Sequence, residues 1–148
     1  MEGMRSFVRT HRKSLDRENT YFVVLSAVGA GFVRYETGEG LAVTYDMDPR
    51  LVQLCAAIAE ADRDDGNRFN AKPLRHGFAS DALPARVAKL RTTTITCLDD
   101  GSILPANYRR PEDVPKRIAP KALERTRDFT LELIRALDRD VGRSTRAE

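Results

Sequence analysis

Met4, Phe7 and Val8 recur at helical spacing among Arg5, Arg9, Arg12 and Lys13, which predicts a short amphipathic helix at the start of the chain. Leu15 to Asn19 is polar and turn-like. Tyr21-Phe22-Val23-Val24-Leu25 is then a continuous aromatic and β-branched run, too short for a helix, and predicts a central strand buried on both faces. Gly29 and Gly31 punctuate the chain before Phe32-Val33-Arg34-Tyr35, a second predicted strand that ends at Gly38 and Gly40.

Asp48-Pro49 is a helix start, with a capping carboxylate followed by a proline at the first helical position, where its missing N–H costs nothing. Leu51, Leu54, Cys55 and Ile58 share one face of this helix, which stops near Asp62 to Asn67. A loop through Pro73 and Gly77 follows. Ser80 can cap a further helix whose expected buried line is Leu83, Val87 and Leu90. Thr92 to Leu98 has the highest β-propensity in the chain and predicts a third strand. The stretch from Asp99 to Pro115 is irregular and rich in Gly, Pro, Asn and Asp, a kind of loop that often carries function. Pro120 opens the last helix, with Leu123, Thr126, Phe129, Thr130, Leu133, Ile134 and Leu137 as a broad apolar face. The end of the chain, 142–148, is expected to fray. The alternation of helices and strands predicts an α/β fold, a layered sheet of about three to four strands with four helices. So short a sheet leaves an unpaired edge, and with it the expectation of a homodimer or a partner chain that completes the sheet.

Composition narrows the classes. A chain of 148 residues that is 41% hydrophobic and 32% charged has the size and apolar content of one domain with one core. The 25 basic and 22 acidic residues are interleaved, so neither a nucleic-acid nor a membrane partner is expected. No apolar run approaches the roughly 20 residues of a membrane span, and no signal-peptide pattern opens the chain. Cys55 and Cys97 are too few for a disulfide framework, so a reduced cytoplasmic setting is expected.

The candidate chemistry is sparse. His11 and His76 are far apart and have no helical partner histidine, so no self-contained metal site is read from them, and no cofactor is expected. Cys97 lies within a hydrophobic strand and reads as a buried, inert thiol. The dense polar cluster is Asn107-Tyr108-Arg109-Arg110-Pro111-Glu112-Asp113. It supplies a hydroxyl, two forked cations and two acceptors, the makings of either a salt-bridged surface loop or an anion-facing rim.

Four stretches, taken in order, resemble the C-terminal half of the di-zinc aminopeptidase family, which also contains glutamate carboxypeptidase and the transferrin receptor ectodomain. They are Glu2 to Phe7, Val24 to Gly29, Ser80-Asp81, and Asn107 to Pro115. The resemblance implies a partial three-layer α/β/α peptidase sheet, a single incomplete domain over 1–148 with its N-terminal half missing. It puts Ser26 and Arg109 where that family has zinc ligands, Tyr108 where it has a tyrosine facing the tetrahedral intermediate, and Asp113 at its loop aspartate, paired with Arg109 or Arg110. Asp81 takes a structural place at a helix start. A serine hydroxyl is a poor ligand for a dication, and the permanently protonated guanidinium cannot ligate at all. The resemblance therefore implies a degenerate or truncated zinc aminopeptidase-like domain, without catalysis of its own, that acts as a binding or structural module. The alternatives are the C-terminal part of a split zinc aminopeptidase, and an anion or nucleotide rim at Arg109 and Arg110.

Overall fold

The threonine-rich run, not the aromatic one, forms the middle of the sheet. In the computed structural model, which describes residues 1–40, 42–75 and 79–144, strand β5 (Arg91–Leu98) lies between β1 (Tyr21–Leu25) and β2 (Phe32–Glu39). It runs parallel to β1 and antiparallel to β2. Strand β2 also pairs in parallel with β4 (Lys72–Arg75) and antiparallel with the two-residue β3 (Tyr45–Asp46). The helices are α1 (Glu2–His11), α2 (Pro49–Asp64), α3 (Ala82–Val87) and α4 (Pro120–Ser144).

The α/β class and, among the described residues, the four helices are as expected, but the sheet formed by these residues has five strands rather than three or four. The two unexpected strands are short edge pieces. β3 has too few residues to show a period, and Lys72-Pro73-Leu74-Arg75 hides its pairing behind two charges and a proline. β1 is likewise not a central strand. Among the described residues it bonds only to β5, and its residues are half-buried, with Leu25 exposed. Its apolar run reflects cover from both helical layers, and that cover is incomplete at an edge.

Side-chain alternation divides the sheet into two faces. Val33 and Tyr35 of β2 and Ile95 of β5 meet Leu51 and Cys55 of α2 and Phe129 and Leu133 of α4, and this is the main core. Phe129 sits between aromatic neighbours, with its ring centroid 5.5 Å from Phe69 and 6.4 Å from Tyr35. Each large apolar side chain fully buried here contributes about 1.5–3 kcal/mol. The opposite face holds the smaller cluster of Val8, Ala85 and Leu90, with Phe22 and Met4 against it, under α1 and α3.

Local signals account for the helix starts. The Asp48 carboxylate accepts from the backbone N–H groups of Arg50 and Leu51, both at 3.1 Å, and Pro49 occupies the first turn of α2. At α3 the cap is the Ser80 hydroxyl, which accepts from the Ala82 N–H at 2.9 Å. Asp81 makes no side-chain cap. Two buried faces differ from expectation. In α3 the buried residues are Ala82 and Ala85, whereas Val87 is 54% exposed. At 3.6 residues per turn Val87 falls on the side of α3 opposite Ala82 and Ala85. In α4, Ala122, Thr126, Phe129, Thr130 and Leu133 face inward, and Leu123 and Ile134 lie outside the buried arc. Of the tail expected to fray, residues 142–144 continue α4, and 145–148 lie outside the described residues, as do His76 and Gly77. Among the described residues no helix is long and apolar enough to cross a membrane.

Candidate functional site

On the α1/α3 face, β2 and β5 present polar side chains where a core would place apolar ones. Glu36 is 2% exposed and Glu39 0%. In an unbroken strand, residues three apart point to opposite faces. Here the pairing with β4 slips by one residue: Glu36 stands opposite Leu74 and Gly38 opposite Arg75, which leaves Thr37 as a bulge. The bulge turns both carboxyl groups to one side, and a hydrogen bond joins them.

Strand β5 and the start of α3 hold the pair from the other side. The Ser80 N–H donates to Oε2 of Glu39 at 3.2 Å, and the Ser80 hydroxyl donates to Oε1 at 3.1 Å. The Thr94 hydroxyl is 2.7 Å from the Ser80 hydroxyl. Ser80 has one hydroxyl proton, already given to Glu39, so Thr94 is the donor in that bond. Desolvation pushes the Glu39 carboxyl up to about 8, helped by the hydrogen bond and the charge of Glu36, while the two Ser80 bonds pull it back. At neutral pH the pair therefore holds a proton.

Glu36 lines a cleft of about 90 Å³ together with Ser26, Ser80, Thr96 and Tyr108, and Leu98, Ile103, Leu104 and Pro105 make its apolar wall. A neighbouring cleft of about 110 Å³ and an outer one of about 400 Å³ share Pro105 and Tyr108 with it. The wall between them is the loop from Asp99 to Val114. Buried Arg34 anchors its start, donating to Asp100 at 2.8 Å and to the Asn70 carbonyl at 2.9 Å, and Lys72 reaches the same Asp100 oxygen at 2.7 Å. These cations hold the Asp100 carboxyl below its usual range, with the Lys72 bond the largest cause. Successive tight turns shape the rest: the Tyr108 N–H donates to Pro105, Arg110 to Asn107, and Asp113 to Arg110. Asn107 and Arg109 take left-handed backbone angles to make them.

The loop cluster expected from the sequence is thus in place, and it brings Tyr108 and Ser26 to one cleft. Arg109 and Arg110 stand on the exposed side, with the Arg109 guanidinium 5.3 Å from the Tyr108 ring centroid. Among the described residues no ion pair joins Asp113 to either arginine. Asp113 lines the neighbouring cleft, and its link to Arg110 is through backbone atoms. Cys55 and Cys97 are free, buried thiols. Burial pushes Cys55 up to about 12 and also raises Cys97, so both are inert. Residues the sequence reading passed over are Glu36, Glu39, Arg34 and Thr94. Gly38, a glycine inside a strand pattern between two glutamates, was the available signal for a bulge.

No family model and no curated protein matches the chain. Among solved structures it is similar to the 5'-methylthioadenosine/S-adenosyl homocysteine nucleosidase of Campylobacter jejuni, at 13% identity over 88% of this chain and 74% of that one, with a TM-score of 0.49. So distant a likeness transfers no chemistry. None of these comparisons finds a zinc peptidase, and among the described residues no group of three or more His, Cys, Asp or Glu could hold a metal ion. The resemblance to the di-zinc aminopeptidases is therefore withdrawn, and with it the degenerate-peptidase and split-peptidase readings, the missing N-terminal half, and the assignment of Ser26 and Arg109 to ligand positions. The quoted stretches have local explanations. Ser80 opens a helix by capping it, residues 24–29 carry the end of an edge strand into a bend, and 107–115 is a run of tight turns that ends at a proline. Many α/β chains use such pieces.

Proposed function

We propose that this protein is an enzyme acting on a small polar molecule by proton transfer, with Glu36 meeting the ligand in the cleft and Glu39 holding a proton behind it. The observation that carries this reading is the bulge that turns two carboxyl groups into one buried, hydrogen-bonded pair beneath a loop with Tyr108 at its centre. Two carboxyls this close share one proton because both cannot ionise side by side. Such a pair can donate a proton through one oxygen and accept one through another, the requirement for general acid–base work near neutral pH. The arrangement does not suit glycoside hydrolysis, whose carboxyl pairs stand roughly 5 Å or more apart to admit a sugar or a water. Ser26, Thr96 and the Tyr108 hydroxyl supply orienting polar groups at the rim, and Leu98, Ile103 and Leu104 keep that end of the cleft apolar. The free, buried thiols suit a reducing, cytoplasmic setting.

A ligand-observed NMR screen of small amides, hydroxy acids and heterocyclic bases tests this reading against wild type and Glu36→Gln. We expect binders that shift the Tyr108 ring resonances and weaken at least about tenfold in the variant. An absence of binders, or binders indifferent to Glu36→Gln, would leave the pair as a purely structural tie between β2 and α3.

A further inference from the structure

A second concavity shares no lining residue with the Glu36 cleft. It is an open groove of about 510 Å³ between α1 and α3. Its floor is apolar, built from Val8, Leu83 and the exposed Val87. Its rim is Arg5 and Arg9 of α1 with Arg12, the C-cap residue that keeps helical backbone angles, and the three are spaced to fall on one stripe. Arg5 shares its charge with Glu2 at 3.0 Å. Among the described residues, Arg9 and Arg12 make no ion pair. Cationic forks thus flank an apolar trough.

We propose that this groove docks the apolar face of an acidic amphipathic helix from a partner protein. The floor requires apolar side chains from the partner, and the arginine stripe requires carboxylates beside them, the combination such a helix presents at successive turns. Arginine matches carboxylates with two parallel hydrogen bonds, so the rim sets register as well as attraction. The concave shape separates this occupant from a lipid surface. A flat bilayer would reach the arginines and leave Leu83 and Val87 uncovered, whereas a helix inserts side chains between α1 and α3.

Fluorescence anisotropy with two labelled helical peptides of about 18 residues, identical in their leucine face and bearing either glutamates or lysines beside it, tests the proposal on the whole chain. We expect the acidic peptide to bind and the basic one not to. Binding should weaken by about three- to tenfold between 0.05 and 0.3 M salt as screening shortens the reach of the charges. Arg9→Glu with Arg12→Glu, both on the exposed side of α1, should lower acidic-peptide affinity at least about tenfold and admit the basic peptide. Val87→Asp, also exposed, should abolish binding of either peptide without unfolding the protein. Equal binding of the two peptides, indifference to the double reversal, or capture by phosphatidylserine vesicles in place of the acidic peptide would overturn the proposal.

Discussion

Glu36 and Glu39 are three residues apart on one strand, yet their carboxyl groups meet on the same face and share a hydrogen bond. The cost of burying two acids together appears as a proton retained far above the ordinary range of a glutamate, with Glu39 pushed up to about 8. Predictions for stability and for the cleft follow from that retained proton and from the groups that hold the pair.

The first concerns pH. A glutamate whose folded pKa is raised keeps its proton in the native state while the unfolded chain releases it, so the unfolded state binds fewer protons. Stability is then greatest below the unfolded value of 4.5 and falls as pH rises towards about 8, above which it levels off. The slope within that window is about 1.4 kcal/mol per pH unit at most. Urea denaturation at pH 5, 6.5 and 8 measures it. Glu39→Gln, which cannot ionise, should flatten the curve, and an unchanged slope in that variant would assign the pH dependence to other groups.

Ser80 serves two structures at once. Ser80→Ala removes a donor to Glu39 and the acceptor for the Ala82 N–H. The loss should cost about 1–2 kcal/mol. Because the Ser80 hydroxyl bond pulls the Glu39 carboxyl down, its loss should raise that carboxyl further, while the bond from the residue-80 backbone N–H remains. Chemical denaturation and a carboxyl titration of the variant read the two effects separately.

Gly31 is required by the backbone at the entry to β2. It has a φ of +90°, and a Cβ there would lie 2.5 Å from the Leu98 carbonyl carbon. Gly31→Ala should therefore destabilise by about 1–3 kcal/mol. Leu98 lines the cleft, so the displaced backbone should also disturb ligand binding. Thermal denaturation, with the Tyr108 ring resonances as a local reporter, checks both effects.

The legible parts of the fold were those with a local cause. The start of α2 follows from Asp48 and Pro49 alone, and β5 from a run of β-branched residues whose composition suits the centre of a sheet. β1 lies where its apolar run predicts but at an edge, because such a run reports cover above and below a strand and not the neighbour beside it. The loop around Tyr108 was legible as irregular and polar. The carboxyl pair was not, because its members have opposite phase in a regular strand. They come together only through the bulge opposite Arg75, which depends on pairing with a strand, β4, that itself left almost no trace in the pattern. The short motifs that suggested a peptidase were caps and turns, features set by local geometry and therefore common to unrelated chains.

Strand β1 leaves an edge to test. Among the described residues it bonds only to β5, and no strand lies on its outer side. We expect a self-association that grows with concentration in light scattering and is suppressed by Val24→Lys, since a charge on an edge strand opposes pairing. A monomer at all concentrations would show that the half-buried edge suffices by itself.

A carbon-13 NMR titration of the glutamate carboxyl groups in wild type, Glu36→Gln and Glu39→Gln reads the retained proton itself. One carboxyl of the wild-type pair should titrate near 8, and that late transition should vanish in Glu39→Gln and move down in Glu36→Gln, where the neighbouring charge is gone. If every glutamate of the wild-type protein titrated in the ordinary range near 4.5, the buried proton-holding pair would not exist and the proposed acid–base site would fall with it.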